Sequence, residues 1–281
     1  MNSLPSSFKA PVAYLAGTEK DPQTLVFPKS SGKDTVRPHQ IDHLVNMNDI
    51  RNSGKTINLW GQGFELVKHQ TRVSDLFDNA KVIDGYYPEM QEFLKKHLGA
   101  SDVFVFDHNQ RSKVRADMGV VGMRYPVASA HVDYTRTSGG KRAMDILSDV
   151  GKEEYSNNHL EIINVWRPIR GPVEDIPLAV CSGASISDQD LVETPIKHFA
   201  EESGEAPNHA GSIYSLKYNI QHQWYYVSNM EPSEVLLLKN WHSKNGKGVL
   251  NAPHTGFHNP LASINCKSRE SIEVRALIVY S

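Results

Sequence analysis

The chain has 281 residues, 39% hydrophobic and 22% charged, with a formal net charge of −2. That is enough to bury a real core in one large domain or two small ones. The balance lacks the basic excess of a nucleic-acid binder, and no stretch approaches the roughly 18 continuous apolar residues of a membrane span. The two cysteines, Cys181 and Cys266, form no C-x-x-C pair, which argues against a zinc ribbon or a redox motif. The N-terminal apolar run is too short for a signal peptide and lacks a basic lead. These features predict a soluble, cytoplasmic protein.

Along the chain, "KAPVAYLA" (9–16) reads as an early strand. Residues 17–58 are polar and punctuated by Pro and Gly, and read as loop with short strands. "YYPEMQEFLKKHL" (86–98) reads as a helix. Tyr86, Met90, Phe93, Leu94 and Leu98 fall at helical spacing, and Lys95, Lys96 and His97 lie in the last turn before Gly99. "DVFVFDH" follows as a strand.

The second half changes texture. Residues 161–169, 176–182, 211–219, 223–228, 233–241 and 271–280 are short, rich in β-branched or aromatic residues, and separated by Gly, Pro, Asn and Ser. With no strong helix between them, they predict a mainly β protein, a sandwich or jelly roll with flanking helices, rather than a parallel α/β sheet. No linker divides it, so residues 1–281 are expected to form a single domain. Residues 1–100 would pack on a core of residues 101–281.

Thirteen histidines are many for this length. One begins an H-x-D pair, His131 and Asp133, in "SAHVDYTRTSGG" (129–140). On a strand end, both side chains share a face. Two histidines and one carboxylate form the facial set that suits Fe(II) with open positions. The pair is also compatible with a histidine that merely neighbours a carboxylate. A second histidine is needed. "NAPHTGFHNP" offers His254 and His258, and His222 before "QWYYV" is a rival with an equally good reading as a packed core residue. His242 reads as a turn residue, and His198 and His209 as polar loop positions. The Gly139–Gly140 pair reads as a turn leading away from the site.

In the terminal strand, Arg269, Ser271, Glu273 and Arg275 alternate with Ile272, Val274, Ala276 and Ile278. The charged side could be a solvated face. It could equally clamp a dicarboxylate, since Arg offers a bidentate fork and Ser one further donor. Trp166 and Asn164 share one face of "INVWRP" and would be a pocket wall and a polar donor, or plain core. Tyr134, and Met123 in the approach to His131, are candidate substrate contacts. Arg167 and Arg170 read as structural, and Asp107, His108 and Arg111 form a polar cluster at a strand end.

The ordered set H-x-D, distal His, R-x-S resembles the Fe(II)/2-oxoglutarate-dependent oxygenases. "INVWRPIRGPVEDIPLAVC", "HQWYYVSNMEPSEVLLLK", "PHTGFHNP" and "RESIEVRALIVY" resemble a secondary-metabolism subgroup. That subgroup includes cephalosporin 7α-hydroxylase and a fungal meroterpenoid endoperoxide synthase. The resemblance implies a double-stranded β-helix. It implies iron ligands at His131, Asp133 and His254, and a 2-oxoglutarate clamp at Arg269 with Ser271. Fifteen residues separate His254 from Arg269, a longer interval than the family's usual one, which leaves Arg275 as a rival clamp. Fe(II), 2-oxoglutarate and O2 would serve hydroxylation, desaturation or a related oxidation of a small natural product. The competing readings are a cupin-like metalloenzyme using His131, His222 and His254, and a non-catalytic jelly-roll partner subunit. An exposed sheet edge could support a homodimer or heterodimer.

Overall fold

The computed structural model describes residues 6–27, 33, 35–199, 209–243, 246 and 248–281. Its strands in the first half are β1 (Ser7–Leu15), β2 (Thr24–Val26), β3 (Gln40–Asp49), β4 (Phe64–Lys68), β5 (Asp102–Ser112) and β6 (His131–Val132). Those in the second half are β7 (His159–Arg170), β8 (Leu178–Cys181), β9 (Leu191–His198), β10 (His209–Leu216), β11 (Trp224–Tyr226), β12 (Glu234–His242), β13 (His254–Gly256) and β14 (Glu270–Tyr280). The α-helices are α1 (Asn79–Lys81), α2 (Tyr87–Leu98), α3 (Lys113–Asp117) and α4 (Arg136–Asp149).

The strands form two sheets. One has the order β1-β3-β11-β8-β13-β6-β10-β9-β2, the other β4-β12-β7-β14-β5. The larger sheet curls on itself. Ala13 bridges Ser129, Leu15 bridges Lys217, and Ala130 N–H donates to Ala13 O at 2.9 Å. This closure packs Tyr14, Met47, Trp224, Tyr226 and Phe257 together. The result is the mainly β, jelly-roll architecture expected from the sequence, with helices outside the sheets. β1, β3 and β4 are members of the sheets themselves.

The smaller sheet is buried on both faces, and period-two alternation sorts its side chains. Ile163, Val165, Val235, Leu237, Ile272 and Val274 pack against Tyr86, Met90 and Leu94 of the helical segment. Trp166, Leu236 and Leu238 face the other way, onto Leu178, Val180 and Tyr225 of the larger sheet. Each such buried side chain contributes roughly 1.5–3 kcal/mol relative to exposure. The site lies between the sheets, where the inner face turns from apolar to polar.

The predicted helix begins earlier than expected. Asp78 caps α1 by accepting from Ala80 N and Lys81 N, a π-helical turn follows at Val82–Tyr86, and α2 continues to Leu98. Gly99 closes it in the left-handed region (φ 64°), donating to Lys95 O. The π turn brings the Tyr86 hydroxyl to Arg167, whose Nε donates to it at 2.7 Å. Arg167 is fully buried and also donates to His69 O and His69 Nδ1. It is structural.

Three sequence expectations need correcting. The region 17–58 contains β3, a ten-residue strand paired along its length with β1 from Ser7↔Asn48 to Leu15↔Gln40. Its polar outer positions hid the buried alternation of Val45, Met47 and Asp49. His198 and His209 lie in strands, opposite one another in the β9–β10 pair. Gly139 and Gly140 do not make a turn; they lie in α4, which starts directly after the H-x-D pair. Thr135 and Ser138 form a reciprocal capping box. Gly139 then packs against the Trp241 indole, where a Cβ would collide with the ring. Trp241 Nε1 fixes the approach by donating to Arg136 O at 3.0 Å.

Gly139→Ala is therefore expected to destabilise the fold by about 1–3 kcal/mol through overpacking. Gly140→Ala, whose Cβ would first meet Trp241 at 3.6 Å, should be neutral or slightly stabilising, because alanine is the better helix former. Urea denaturation of the two variants separates these outcomes; equal stability would mean that the indole does not set the helix position.

Candidate metal centre and active site

His131 and His254 lie 123 residues apart but pair directly across β6 and β13. Their ring centroids are 4.6 Å apart. His131 Nδ1 lies 2.8 Å from Ser129 O, and His254 Nδ1 lies 3.2 Å from Ala252 O. A carbonyl can only accept, so each Nδ1 donates, and each Nε2 presents a lone pair to the site. Asp133 Oδ1 stands 3.5 Å from His131 Nε2 and 4.0 Å from His254 Nε2. The three donor atoms all lie within 4.8 Å of one another. Two neutral imidazole nitrogens and one carboxylate oxygen match the donor set that Fe(II) accepts with coordination positions left open. Burial and the neighbouring His131 push the His254 pKa down, which keeps its Nε2 unprotonated near neutrality.

The other oxygen of Asp133 is occupied. Oδ2 accepts from Asn164 Nδ2 at 2.8 Å and from Arg275 Nε at 3.0 Å. Burial alone would raise this carboxyl's pKa; Arg275 and the two imidazoles outweigh it and hold the group well below the usual carboxylate range. Arg275 also donates to Asp107 at 2.8 Å and Glu273 at 3.2 Å.

Register explains this lattice. Arg275 of β14 stands opposite Asp107 of β5 and Asn164 of β7, Glu273 opposite Asn109 and Trp166, and Ser271 opposite Arg111 and Pro168. The pairing shifts between Arg275 and Ala276, leaving Phe106 as a bulge residue without an opposite partner.

Arg269 lies in a narrow cleft beside the histidines, lined also by Arg111, Trp166, Leu178, Thr255 and Glu273. Its guanidinium sits 4.9 Å over the Trp166 ring. Nε donates to Ser271 Oγ and Nη1 to Ile176 O, both at 3.0 Å. The long interval after His254 wraps around Asp175, whose carboxylate accepts from the Arg269 backbone N–H at 3.0 Å. Arg170 Nη2 holds the same segment through Ser268 O at 2.8 Å. Among the described residues no carboxylate is paired with the Arg269 guanidinium, and burial pushes its pKa down to about 9, with Arg111 adding to the effect. A buried cation in this condition is a receptor for an anion.

A larger cavity of about 350 Å3 opens on the other side of Asp133, between α4 and β9–β10. Tyr134 lines it, and burial pushes the phenol up to about 12. Of the residues singled out from sequence, His131, Asp133, His254, Asn164, Trp166, Arg269, Ser271, Arg275 and Tyr134 are brought together around the two cavities. Asn164 and Arg275 touch Asp133 rather than the Arg269 cleft. Met123 is half-buried on the approach to β6 and lines neither cavity. His222 is elsewhere, held by Tyr14 OH at 3.2 Å and Asp190 Oδ2 at 3.2 Å, so the ligand set His131–His222–His254 does not form. His258 is exposed.

Asp107, Arg111 and Glu273 line or border the site without a role assignable from the sequence alone. The period-two match of Asp107, Asn109 and Arg111 to Ser271, Glu273 and Arg275 is the signal that identifies them. The cavity-facing residues of α4, Ser138, Lys141, Arg142 and Asp145, were hidden by the glycine pair.

The chain matches the family described as "Oxidoreductase/YMDC permease-like domain" over residues 12–279. Among the described residues no helix is long and apolar enough to cross a membrane. It is 32% identical over 243 residues to the alpha-ketoglutarate-dependent dioxygenase phiK of a fungal species, covering 84% of this chain and 83% of that protein. It is also 32% identical over 251 residues to the hydroxylase/desaturase efuI of Hormonema carpetanum, with the same coverage. The solved structure of the iron and alpha-ketoglutarate-dependent endoperoxidase NvfI superposes with a TM-score of 0.81 at 22% identity, covering 98% of this chain and 99% of that one.

Removing any one donor of the triad, by His131→Ala, Asp133→Ala or His254→Ala, is expected to weaken Mn(II) or Fe(II) binding at least about 100-fold in anaerobic calorimetry. His222→Ala should keep metal affinity and lose about 1–3 kcal/mol of stability, because Tyr14 and Asp190 lose a buried partner. Full metal retention by His254→Ala would remove that residue from the ligand set.

Proposed function

The chain belongs to the Fe(II)/2-oxoglutarate-dependent dioxygenases, and from that premise we propose that it oxidises a small natural product in secondary-metabolite biosynthesis, by hydroxylation, desaturation or a related oxidation. The observation that carries this reading is the pairing of the His131–Asp133–His254 donor set with Arg269, a buried cation without a carboxylate partner among the described residues. A metal triad and an anion receptor facing one cleft suit a chelating keto acid with a second, distal carboxylate.

In this reading His131 Nε2, His254 Nε2 and Asp133 Oδ1 hold Fe(II). Bound Fe(II), with 2-oxoglutarate and O2, supplies the oxidising power, releasing succinate and CO2. The protein's own groups bind and orient. Arg269 takes the distal carboxylate of 2-oxoglutarate with a charge-assisted fork, and Ser271, already bonded to its Nε, fixes the plane of that fork. Trp166 lies beneath the guanidinium and excludes water from one side. Asn164 and Arg275 keep Asp133 Oδ2 engaged, so that Oδ1 alone faces the imidazoles. Tyr134 borders the space for substrate on the opposite side of Asp133. Action of residues 1–281 as one oxygenase unit, a cytosolic setting and a dimeric assembly are parts of the same proposal. The cytosolic setting is supported by two free cysteines, Cys181 and Cys266.

Succinate formation from 2-oxoglutarate, measured with Fe(II) and O2, tests the reading. Wild type should turn over and Asp133→Ala should fall at least about 100-fold. Arg269→Ala should raise the apparent KM for 2-oxoglutarate about tenfold or more, with metal affinity little changed. Arg275→Ala should show the opposite split, losing metal affinity first. A wild type that binds neither Fe(II) nor 2-oxoglutarate would end the proposal. A larger KM effect from Arg275→Ala would move the clamp.

A further inference from the structure

The cavity beyond Asp133 is not uniformly apolar. Its α4 wall presents Ser138, Lys141, Arg142 and Asp145, one helical face by the i, i+3, i+4, i+7 rule, and its opposite wall carries Ile196 and Ile213. Lys141 and Asp145 neutralise each other at 2.6 Å and reach toward solvent. Arg142 is different. It is half-buried, its guanidinium lies 4.9 Å over the ring of Phe106, the bulge residue of β5, and no carboxylate is paired with it among the described residues. Phe106 does not itself line the cavity; its ring stands behind Arg142 and supports the guanidinium at the cavity wall. The two compartments meet at Asp133, and each has an arginine whose guanidinium has no carboxylate partner among the described residues: Arg269 in the cleft beside the histidines, which Arg111 also lines, and Arg142 in the cavity beside Tyr134, where the other lining arginine, Arg275, is already bonded to Asp133, Asp107 and Glu273.

We propose that the cavity is a receptor for an acidic substrate, and that Arg142 determines specificity by pairing with a carboxylate on an otherwise apolar carbon skeleton. The isoleucines match the skeleton, and the stacked guanidinium matches the acid. The carboxylate so recognised belongs to the substrate and is distinct from those of 2-oxoglutarate. The inference rests on the oxygenase reading above, which assigns the Arg269 cleft to the co-substrate.

The test uses the full chain loaded with Mn(II) and saturated with 2-oxoglutarate, titrated with 2-naphthoate and with its uncharged isostere 2-naphthamide. The acid should bind about tenfold tighter or better than the amide, as expected for a charge-assisted hydrogen bond. Arg142→Gln should abolish that preference, and Arg142→Lys should restore part of it. Lys141→Gln should leave it in place. Equal binding of acid and amide, absence of binding by both, survival of the preference in Arg142→Gln, or its loss in Lys141→Gln each overturns the proposal. So does tighter naphthoate binding to the Mn(II)-loaded chain without 2-oxoglutarate than with it, which would place the probe in the co-substrate cleft. Should Arg142→Gln fail to fold, the wild-type comparison and Arg142→Lys still decide. Succinate formation by Fe(II)-loaded wild type without naphthoate reports separately on the oxygenase reading. Turnover there, with no acid preference, would sink only the substrate class.

Discussion

Asp133 has two carboxylate oxygens, and the rest of the site depends on their being used differently. Oδ1 faces the imidazoles of His131 and His254, while Oδ2 is held by Asn164 and Arg275. The histidines and the aspartate belong to the larger sheet or its margin. Asn164 and Arg275 belong to the smaller one. This one side chain therefore ties the two sheets together at the place where chemistry occurs. A carboxylate left with both oxygens free could rotate, and the geometry of the donor set would then be set by the metal rather than by the fold.

Such a centre carries an electrostatic cost that the surrounding lattice offsets. Asp107, Glu273 and Arg275 form a buried or half-buried network around Asp133. Isolated buried charges would be expensive, but here each carboxylate has a guanidinium within hydrogen-bonding reach. In the cleft beside the histidines, Arg269 and Arg111 have no carboxylate bonded to their guanidinium groups among the described residues, and Arg269 is the more deeply buried of the two. The hydrogen bonds of the Arg269 guanidinium go to neutral oxygens, so its charge remains available to an incoming anion. The fold thus satisfies the metal side of the site internally and leaves the co-substrate side to be completed by ligand. The apolar packing of Trp166, Leu236 and Leu238 against Leu178 and Val180 keeps the sheets at a fixed separation beneath both.

Much of this was legible in the sequence, because the relevant signals are short and regular. The H-x-D pair, the distal histidine and the alternation after Arg269 are period-two patterns, and a strand preserves them whatever its neighbours do. What sequence alone did not yield is pairwise placement. Asn164 and Arg275 were expected near the co-substrate, because an inward amide and an inward guanidinium are compatible with several partners; only the register between β7 and β14 aims them at Asp133. α4 is not legible in the sequence because two glycines in its first turns read as a chain turn. The reason for at least the first glycine, close approach of the Trp241 indole, lies about a hundred residues away in the chain. β3 was missed because its exposed face is polar along most of its length, and its burial depends on closure of the larger sheet.

The division of Asp133 is open to direct observation in a crystal structure of the chain loaded anaerobically with Fe(II). One ion is expected, bound by Nε2 of His131, Nε2 of His254 and Oδ1 of Asp133 alone, with Oδ2 still in hydrogen-bond contact with Arg275 and Asn164. An ion chelated by both Asp133 oxygens with Arg275 displaced, or one bound away from this triad, would contradict it.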